Sequence, residues 1–332
     1  MPPAALRIGT LGAAKITPPA LIQPAARCAR AELVAVAARD GERAREFAAR
    51  HDIPSVEESY RSLIERQDVD AIYNPLPAAL HAEWTLRALD AGKHVLCEKP
   101  FAGNASEAER MVRRADDAGR VLMEAFHYRY HPLMLRLLGL VEQDAIGGLR
   151  RIDATFSVPI DDTNDIRYQL ALGGGALMDL GCYPVHWVRT CAKAEPQVAE
   201  AECVTGPPGV DVTMTSELHF PGDVTARVHC SMAPGVQLQA SLEIEGTRGT
   251  ISALNPLAPH LGHSLRVRTS EGETEEQVSG NTTYDHQLEA FVAAVLDGGP
   301  ILTGGKDAIE NMRVIDAIYT AAGLPLRGDS AA

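Results

Sequence analysis

The first 130 residues alternate short apolar runs with amphipathic stretches, and this rhythm constrains the fold more than any other feature of the chain. LRIGTL, AELVAVAA, VDAIYNPL and HVLCEKP are apolar and short enough to be strands. DGERAREFAARHD and SEAERMVRRADDAG, which lie among them, are amphipathic and helix-like. Strands separated by helices predict βαβ units in a doubly wound parallel sheet. We therefore expect an α/β domain over residues 1–130.

The rhythm changes from about Arg150 onward. RIDATFSVPI, DVTMTSELHF, VTARVHCSM and LQASLEIEG alternate polar and apolar residues and are separated by Gly/Pro turns. That alternation predicts a largely antiparallel sheet with one covered face. Helical stretches such as ALMDLGCYPVHWVRTCA and YDHQLEAFVAAVLDG accompany it. Residues 131–332 are therefore predicted to form a second, α+β domain.

Composition and charge exclude several classes of protein. The 332 residues are 45% hydrophobic and 23% charged, as in ordinary globular proteins. A net charge of −13 argues against nucleic-acid and anionic-membrane partners, because both need a basic surface. We find no signal peptide and no apolar run long enough to cross a bilayer. The six cysteines form no CxxC pair, which predicts reduced thiols and a cytoplasmic location.

A strand-to-helix turn follows the first predicted strand. The dinucleotide fingerprint GxGxxG belongs at such a turn. Only Gly12 matches it strictly, and Ala14 and Thr17 take the second and third glycine positions. A glycine-poor turn without a ligand is the alternative. The position of this turn favours a nucleotide, because a helix N-terminus after the first strand of a βαβ unit binds a pyrophosphate.

The end of the second predicted strand indicates which dinucleotide is bound. A ribose-binding carboxylate is expected there, but the chain has Ala38 and Arg39. The lack of a carboxylate at the ribose-binding position, next to an arginine, suits a 2′-phosphate, which a guanidinium binds with two hydrogen bonds. Asp40 keeps NAD possible, because it stands one position later. We expect NADP as the cofactor.

Five stretches together resemble the Gfo/Idh/MocA oxidoreductases. They are GTLGAAKI, VAVAARD, YNPLPAALHAEWTLRALDAGKHVLCEKPF, MEAFHYRYHP and GGGALMDLGCYPVHW. The most similar branch holds dimeric dihydrodiol dehydrogenase, glucose–fructose oxidoreductase and NADP-dependent D-xylose dehydrogenase. The resemblance covers nearly the whole chain. It implies a Rossmann domain over 1–130, followed by a substrate-binding and oligomerisation domain over 131–332 with an open-faced sheet.

The resemblance also implies which residues are catalytic. The lysine of the EKP motif, here Lys99, lies beside the nicotinamide and the substrate hydroxyl in this family; its bond to Pro100 is often cis there. Tyr183 matches the acid/base of this branch, where many other family members have histidine. Asp179 precedes it by four residues, so the two share one face of a helix. The glycines that precede them permit a tight turn near a ligand. A core tyrosine with a structural aspartate is the alternative reading of the residues alone.

The remaining site residues rest on the same resemblance. The residues expected to bind the cofactor are Gly12, Ala13, Ala14, Lys15, Ile16, Arg39, Asn74, Leu76, Pro77, His81, Glu98, Lys99 and Arg129. Arg167, Asp179 and Tyr183 are expected to line the substrate site. His127 and His131 are also four apart, but no third ligand accompanies them, so we expect no metal.

The expected reaction is hydride transfer between NADP and a hydroxyl or carbonyl carbon of an aldose such as D-xylose or D-glucose. A trans-dihydrodiol or a dicarbonyl is the alternative substrate. The polar stretch SVPIDDTNDIRY favours a polyhydroxy molecule. A non-catalytic NAD(P)-sensing regulator is a further alternative, but the presence of both Lys99 and Tyr183 argues against it.

The C-terminal sheet also suggests an oligomer. Half of each alternating strand is apolar, and few helices remain to cover a second face. An uncovered apolar face would exceed the few hundred Å² that monomers usually expose. We therefore predict a homodimer, or a dimer of dimers, through this sheet.

Overall fold

The computed structural model describes residues 5–328, which fall into two units. The first unit contains residues 5–127 and Tyr284–Ile309. The second contains Tyr128–Thr283 and residues 310–328. A segment late in the chain therefore groups with the first unit.

The sheet of the first unit is parallel, with the strand order β3-β2-β1-β4-β5-β6. Its strands are β1 (Leu6–Leu11), β2 (Ala31–Ala37), β3 (Ser55–Glu57), β4 (Ala71–Asn74), β5 (His94–Cys97) and β6 (Leu122–Glu124). β4 is buried along its whole length, as strands covered on both faces are. The predicted Rossmann fold is confirmed, and the strand order reverses between β1 and β4, where open α/β sheets bind ligands.

Some helices of the first unit begin at capping residues that the sequence offers. The helices are α1 (Gln23–Arg27), α2 (Gly41–Arg50), α3 (Tyr60–Glu65), α4 (His81–Asp90), α5 (Ala105–Ala118) and, late in the chain, α8 (Thr283–Asp297). Asp40 caps α2 and Asn104 caps α5, each by accepting a backbone N–H. Gly119, with φ +60°, ends α5 in the left-handed region.

The second unit contains an eight-stranded sheet with the order β14-β13-β12-β11-β7-β10-β9-β8. Its strands are β7 (Leu149–Ser157), β8 (Gln197–Gly206), β9 (Val210–Phe220), β10 (Val224–Ser231), β11 (Gln239–Gly246), β12 (Gly249–Leu254), β13 (Ser264–Thr269) and β14 (Gly272–Glu276). Only the β7–β10 pair is parallel. The expected largely antiparallel sheet is confirmed. The accompanying helices are α6 (Pro132–Glu142), α7 (Cys182–Ala192) and α9 (Lys306–Ala321), whose first turn belongs to the first unit.

The two faces of this sheet differ in polarity. α7 packs against β7 and β10, on the side where Ile152 and Val228 are buried. The opposite side presents mostly polar residues, among them Thr155, Thr215 and Arg227. The uncovered apolar face assumed from the sequence is therefore wrong. Most apolar residues of the alternating strands point to the covered side, which leaves a mostly polar set outside.

A search of the described residues for membrane spans found no helix with the necessary length and apolar character.

Candidate active site

A tight turn joins β1 to the next helical segment. Gly12 has φ +82°, and its N–H donates to the carbonyl of Ala37 at 2.6 Å. A Cβ at position 12 would lie 3.2 Å from Cδ2 of Leu76. Glycine is favoured here because other residues rarely adopt this φ. The chain then enters a π-helical turn, Pro18–Ile22, so the expected strand–turn–helix is present.

Two buried hydroxyls flank this turn and suit a bound polar group. Thr10 and Thr17 are fully buried, and within residues 5–328 neither Oγ1 has a hydrogen-bond partner. Leaving such atoms unpaired costs free energy. A dinucleotide at this turn, or ordered water beside it, would supply the missing partner. The residues present therefore fit the expected cofactor.

The other residues of the predicted nucleotide site are grouped along the same edge of the sheet. Gly12, Ala13 and Leu76 are buried, Ala14, Ile16 and Pro77 are half-buried, and Lys15 and Arg39 are exposed.

The end of β2 carries two arginines. Arg39 is exposed, and its backbone hydrogen-bonds the Tyr60 hydroxyl. The guanidinium of Arg43 donates to the carbonyl of Ala13 at 2.8 Å, so it lies against the nucleotide turn. The Asp40 carboxylate accepts the N–H of Arg43 at 3.1 Å and caps α2. Sequence reasoning missed Arg43; its place in the first turn of the helix after β2 was the available signal.

Lys99 lies in the turn after the carboxyl end of β5, and buried polar groups stabilise this turn. Glu98 is 6% exposed; its Oε1 accepts the Tyr73 hydroxyl at 2.7 Å, and its Oε2 accepts the Lys99 N–H at 3.3 Å. The N–H of Glu98 donates to the carbonyl of Asn74 at 3.0 Å. The Lys99–Pro100 peptide is cis. The Glu98 carboxylate therefore hydrogen-bonds groups of the protein and stabilises the turn that bears Lys99.

His81 connects this turn to the loop after β4. It is 1% exposed, with Nδ1 2.9 Å from the carbonyl of Pro100 and Nε2 2.6 Å from the carbonyl of Leu76. Burial lowers the pKa of His81 to about 4. The ring is therefore neutral near pH 7 and donates its single N–H to one carbonyl at a time. Both ring nitrogens face backbone, so we interpret His81 as a support for the two loops.

Asn74 supports the same loop from within the core. It is fully buried, its Nδ2 donates to Thr85 Oγ1 at 3.1 Å, and its Oδ1 accepts the Leu76 N–H at 3.4 Å. Its side chain therefore fixes the backbone on which Leu76 and Pro77 stand.

In the second unit, Tyr183 lies in the first turn of α7. It is 5% exposed, and its ring packs edge-on against Phe156, with centroids 5.6 Å apart, and against Tyr128 at 6.0 Å. The Tyr128 hydroxyl contacts Nδ1 of His186. Aromatic packing of this kind orients the Tyr183 ring.

Asp179 lies just before α7, in a π-helical turn that spans Leu177–Gly181. Its Oδ2 accepts Nε of Arg167 at 2.5 Å. Arg167 also donates to Asp165 at 3.1 Å, and its pKa is raised, chiefly by the charge of Asp179. Arg167 was expected to line the substrate site. Because two carboxylates occupy its guanidinium, we interpret it as the group that orients Asp179.

Close contacts within the protein explain why glycines precede this turn. Gly175 has φ +141°, and a Cβ there would lie 2.2 Å from Oδ1 of Asp211. A Cβ on Gly174 would lie 2.5 Å from the carbonyl oxygen of Arg167. The sequence suggested that these glycines make room near a ligand. The structure shows that they make room for buried protein groups.

Arg129 was expected to bind the cofactor. It lies within electrostatic range of Cys191 and Glu142, at the C-terminal ends of α7 and α6. The assignment of Arg129 to the cofactor stays a prediction.

The two histidines near Arg129 have separate structural contacts. His127 stacks on Tyr284 with centroids 4.2 Å apart, and His131 caps α6 by accepting the Leu133 N–H. In the described part of the chain no three His, Cys, Asp or Glu residues form a group that could hold a metal ion.

Comparison with known proteins agrees with this arrangement. Residues 6–126 match the oxidoreductase family with an NAD-binding Rossmann fold, and residues 134–252 match the GFO/IDH/MocA C-terminal domain. D-xylose 1-dehydrogenase (NADP⁺) 2 of Haloferax volcanii is 35% identical over 319 residues, which cover 96% of this chain and 97% of that protein. The chain belongs to the GFO/IDH/MocA family. The predicted family, and an NAD(P)-dependent dehydrogenase as the type of enzyme, are thereby confirmed.

Two further relatives of this GFO/IDH/MocA protein act on, or were solved with, nucleotide-linked molecules. The dTDP-3,4-didehydro-2,6-dideoxy-α-D-glucose 3-reductase of Streptomyces violaceoruber is 34% identical over 337 residues, 96% of each chain. A 3-ketoreductase from Actinomadura kijaniata, solved with TDP-benzene and NADP as a tyrosine-to-phenylalanine variant, superposes with a TM-score of 0.89. It has 31% identity and covers 96% of this chain and 98% of its own.

Proposed function

We propose that this enzyme oxidises an uncharged aldose, D-xylose or a close relative such as D-glucose, with NADP as the hydride acceptor. The observation that carries the proposal is the support given to Lys99 and Tyr183. Glu98 and His81 hold the turn that bears Lys99, and aromatic packing holds Tyr183. The six cysteines form no disulfide, which supports a cytoplasmic location.

The proposed proton acceptor is Tyr183. A free tyrosine has a pKa of about 10 and is a poor base at neutral pH. The family resemblance implies that Lys99 lies beside the same substrate hydroxyl, and in the proposed mechanism its ammonium favours the phenolate and lowers that pKa. Asp179, held by Arg167, orients a substrate hydroxyl. The hydride chemistry itself belongs to the nicotinamide when it is bound, and the protein supplies alignment and charge.

The spacing of the two residues supports these roles. Structures of the Actinomadura ketoreductase include variants of one tyrosine and of one lysine, both solved with NADP. Those two residues are 84 positions apart in its chain, and Lys99 and Tyr183 are also 84 positions apart (183 less 99).

The charge of the second unit favours a free sugar over a nucleotide sugar. Asp161 and Asp162 are exposed in the segment that precedes Arg167, whose guanidinium Asp165 and Asp179 already occupy. The two negative charges of a sugar nucleotide would meet these carboxylates. A neutral polyol would find hydrogen-bond acceptors instead.

A substrate panel tests the proposal. Purified enzyme with NADP is assayed against D-xylose, D-glucose, a trans-dihydrodiol and, in the reverse direction with NADPH, a dTDP-linked ketosugar. Absorbance of the reduced nicotinamide reports turnover. We expect the highest kcat/KM with a free aldose. Turnover confined to the nucleotide sugar or the dihydrodiol would reassign the substrate, and NADP binding without any turnover would indicate a sensor.

Replacing Arg39 with alanine is expected to weaken NADP binding. Losing its charge-assisted hydrogen bonds to the 2′-phosphate costs about 1.5–3 kcal/mol, or roughly 10- to 150-fold in affinity. NAD affinity should change much less, because NAD lacks that phosphate. Fluorescence titration with both cofactors measures the ratio. Arg43→Ala should act in the same direction.

Arg45→Ala is the matched control for the Arg39 and Arg43 variants. Arg45 is an exposed arginine of α2, and it pairs with Glu42. If the NADP-to-NAD preference stays constant in Arg39→Ala, Arg39 does not bind the 2′-phosphate. Asp40 would then be the residue expected to bind the ribose.

We also expect a homodimer, or a dimer of dimers, through the C-terminal sheet. The family resemblance carries this expectation, since the outer face of the sheet is polar. Light scattering at micromolar concentration should give at least twice the 35.6 kDa chain mass. Thr155→Arg, placed in the middle of that face, should lower the mass. A monomer in wild type would refute the expectation, and an unchanged oligomer in Thr155→Arg would move the interface elsewhere.

A further inference from the structure

A carboxylate from β9 caps the π-helical turn that carries Asp179. Asp211 is fully buried, and its Oδ2 accepts the N–H of Leu177 at 2.7 Å. Leu177 is the first residue of that turn. Oδ1 of Asp211 accepts the Tyr319 hydroxyl at 3.0 Å. The start of the segment is therefore held by a side chain from a distant part of the chain.

Arg327, after the last helix, completes this cluster. It is 3% exposed, its Nη2 donates to Oδ1 of Asp211 at 2.9 Å, and its Nε donates to the carbonyl of Gly174 at 2.9 Å. Its guanidinium carbon lies 4.3 Å above the centre of the Tyr319 ring. One guanidinium thus holds both the main chain of the glycine turn and the carboxylate that caps the next turn.

The glycine turn fits closely against this cluster. A Cβ on Gly175 would lie 2.2 Å from Oδ1 of Asp211 and 2.8 Å from the Tyr319 hydroxyl. The main chain is therefore held both by close packing and by hydrogen bonds. Movement of the guanidinium would free the carbonyl of Gly174 and would shift Asp211, which holds the N–H of Leu177 two residues before Asp179.

We propose that Arg327 is a positioning residue, which acts through Asp211 and Gly174 to hold the segment that bears Asp179 and Tyr183. The proposal rests on the catalytic roles proposed above. Neither Arg327 nor Asp211 contributes an atom to the reaction. Their effect is the placement of the two catalytic side chains, and a misplacement of about 1 Å costs up to about 100-fold in rate.

Arg327→Gln tests this role, with Arg248→Gln as the matched control. Arg248 pairs with Asp144 on the surface of the same unit. We expect kcat of Arg327→Gln to fall by about 10- to 100-fold while the NADP dissociation constant stays constant. The pH inflection of the oxidation rate should also shift, because Tyr183 moves in its electrostatic surroundings. Arg248→Gln should match wild type in all three.

A purely structural role would give a different result. An Arg327→Gln enzyme with a lower melting temperature, but with wild-type kcat and pH inflection below that temperature, would overturn the proposal. If Arg327→Gln is not recovered folded, Arg327→Lys decides, because it keeps the charge and loses the second hydrogen bond. Its kcat and inflection should then move in the same direction, and wild-type values would overturn the proposal.

Tyr183→Phe in the same assays separates this proposal from the proposed function. Loss of turnover in Tyr183→Phe with wild-type kinetics in Arg327→Gln removes only the positioning role. Wild-type turnover in Tyr183→Phe removes the catalytic role on which the positioning role rests.

Discussion

A Tyr183→Phe enzyme should oxidise its sugar about 10²–10⁴ times more slowly than wild type, because general-base loss typically costs that much. Phenylalanine keeps the edge-on packing against Phe156 and Tyr128 and removes only the hydroxyl. NADP affinity should therefore be retained. Single-turnover absorbance of the reduced nicotinamide measures the hydride-transfer step directly.

Tyr168→Phe is the matched control for this variant. The Tyr168 hydroxyl donates to the carbonyl of Ile160 at 2.9 Å, in the same unit, and has no proposed role in the chemistry. It should retain turnover. If Tyr183→Phe stays within a few-fold of wild type, Tyr183 is not the base, and His186 or Asp179 becomes the next candidate.

Lys99→Met should also lower the oxidation rate by orders of magnitude. The wild-type rate should rise with pH through an apparent pKa well below the free tyrosine value. In the proposed mechanism the ammonium stabilises the phenolate, so its removal should raise the pKa of Tyr183 and move the inflection to higher pH. The Lys99→Met, Tyr183→Phe double variant should lose little more than either single variant, because groups that act as a unit are non-additive.

Lys193→Met serves as the control for the lysine variant, since Lys193 is exposed and pairs with Glu142. Its pH profile should match that of wild type. Two results would show that Lys99 does not assist the proton transfer. One is a pH inflection of the oxidation rate that stays unchanged in Lys99→Met, and the other is a rate loss in the double variant that equals the product of the two single losses.

The features that could be read from the sequence are those that local patterns determine. Alternation of apolar strands and helices specified the parallel sheet, since a βαβ unit is built from neighbouring segments. The position of Lys99 followed from its place after β5, because strand ends in such sheets meet at one edge. The turn at Gly12 could be predicted in the same way, from its place after β1.

Faces of a sheet were harder to assign. The sequence showed correctly that the C-terminal strands alternate, but alternation alone does not say which side a helix covers. On β7 and β10 the apolar residues counted as an uncovered face are the ones beneath α7, and the exposed side is mostly polar. Side-chain direction is a local property, whereas the covering element comes from elsewhere in the chain.

The sequence by itself determined the family and the parallel and antiparallel sheets, and it suggested Lys99 and Tyr183 as the catalytic residues that we propose. Only the tertiary structure decided what holds them: the hydrogen bonds of Glu98 and His81, and the contact of Arg327 with Asp211 across 116 positions. Such contacts leave no periodic trace, because the two partners lie on elements whose spacing in the chain is unrelated to their distance in space. A buried charge requires a partner, but which partner it has is decided by packing.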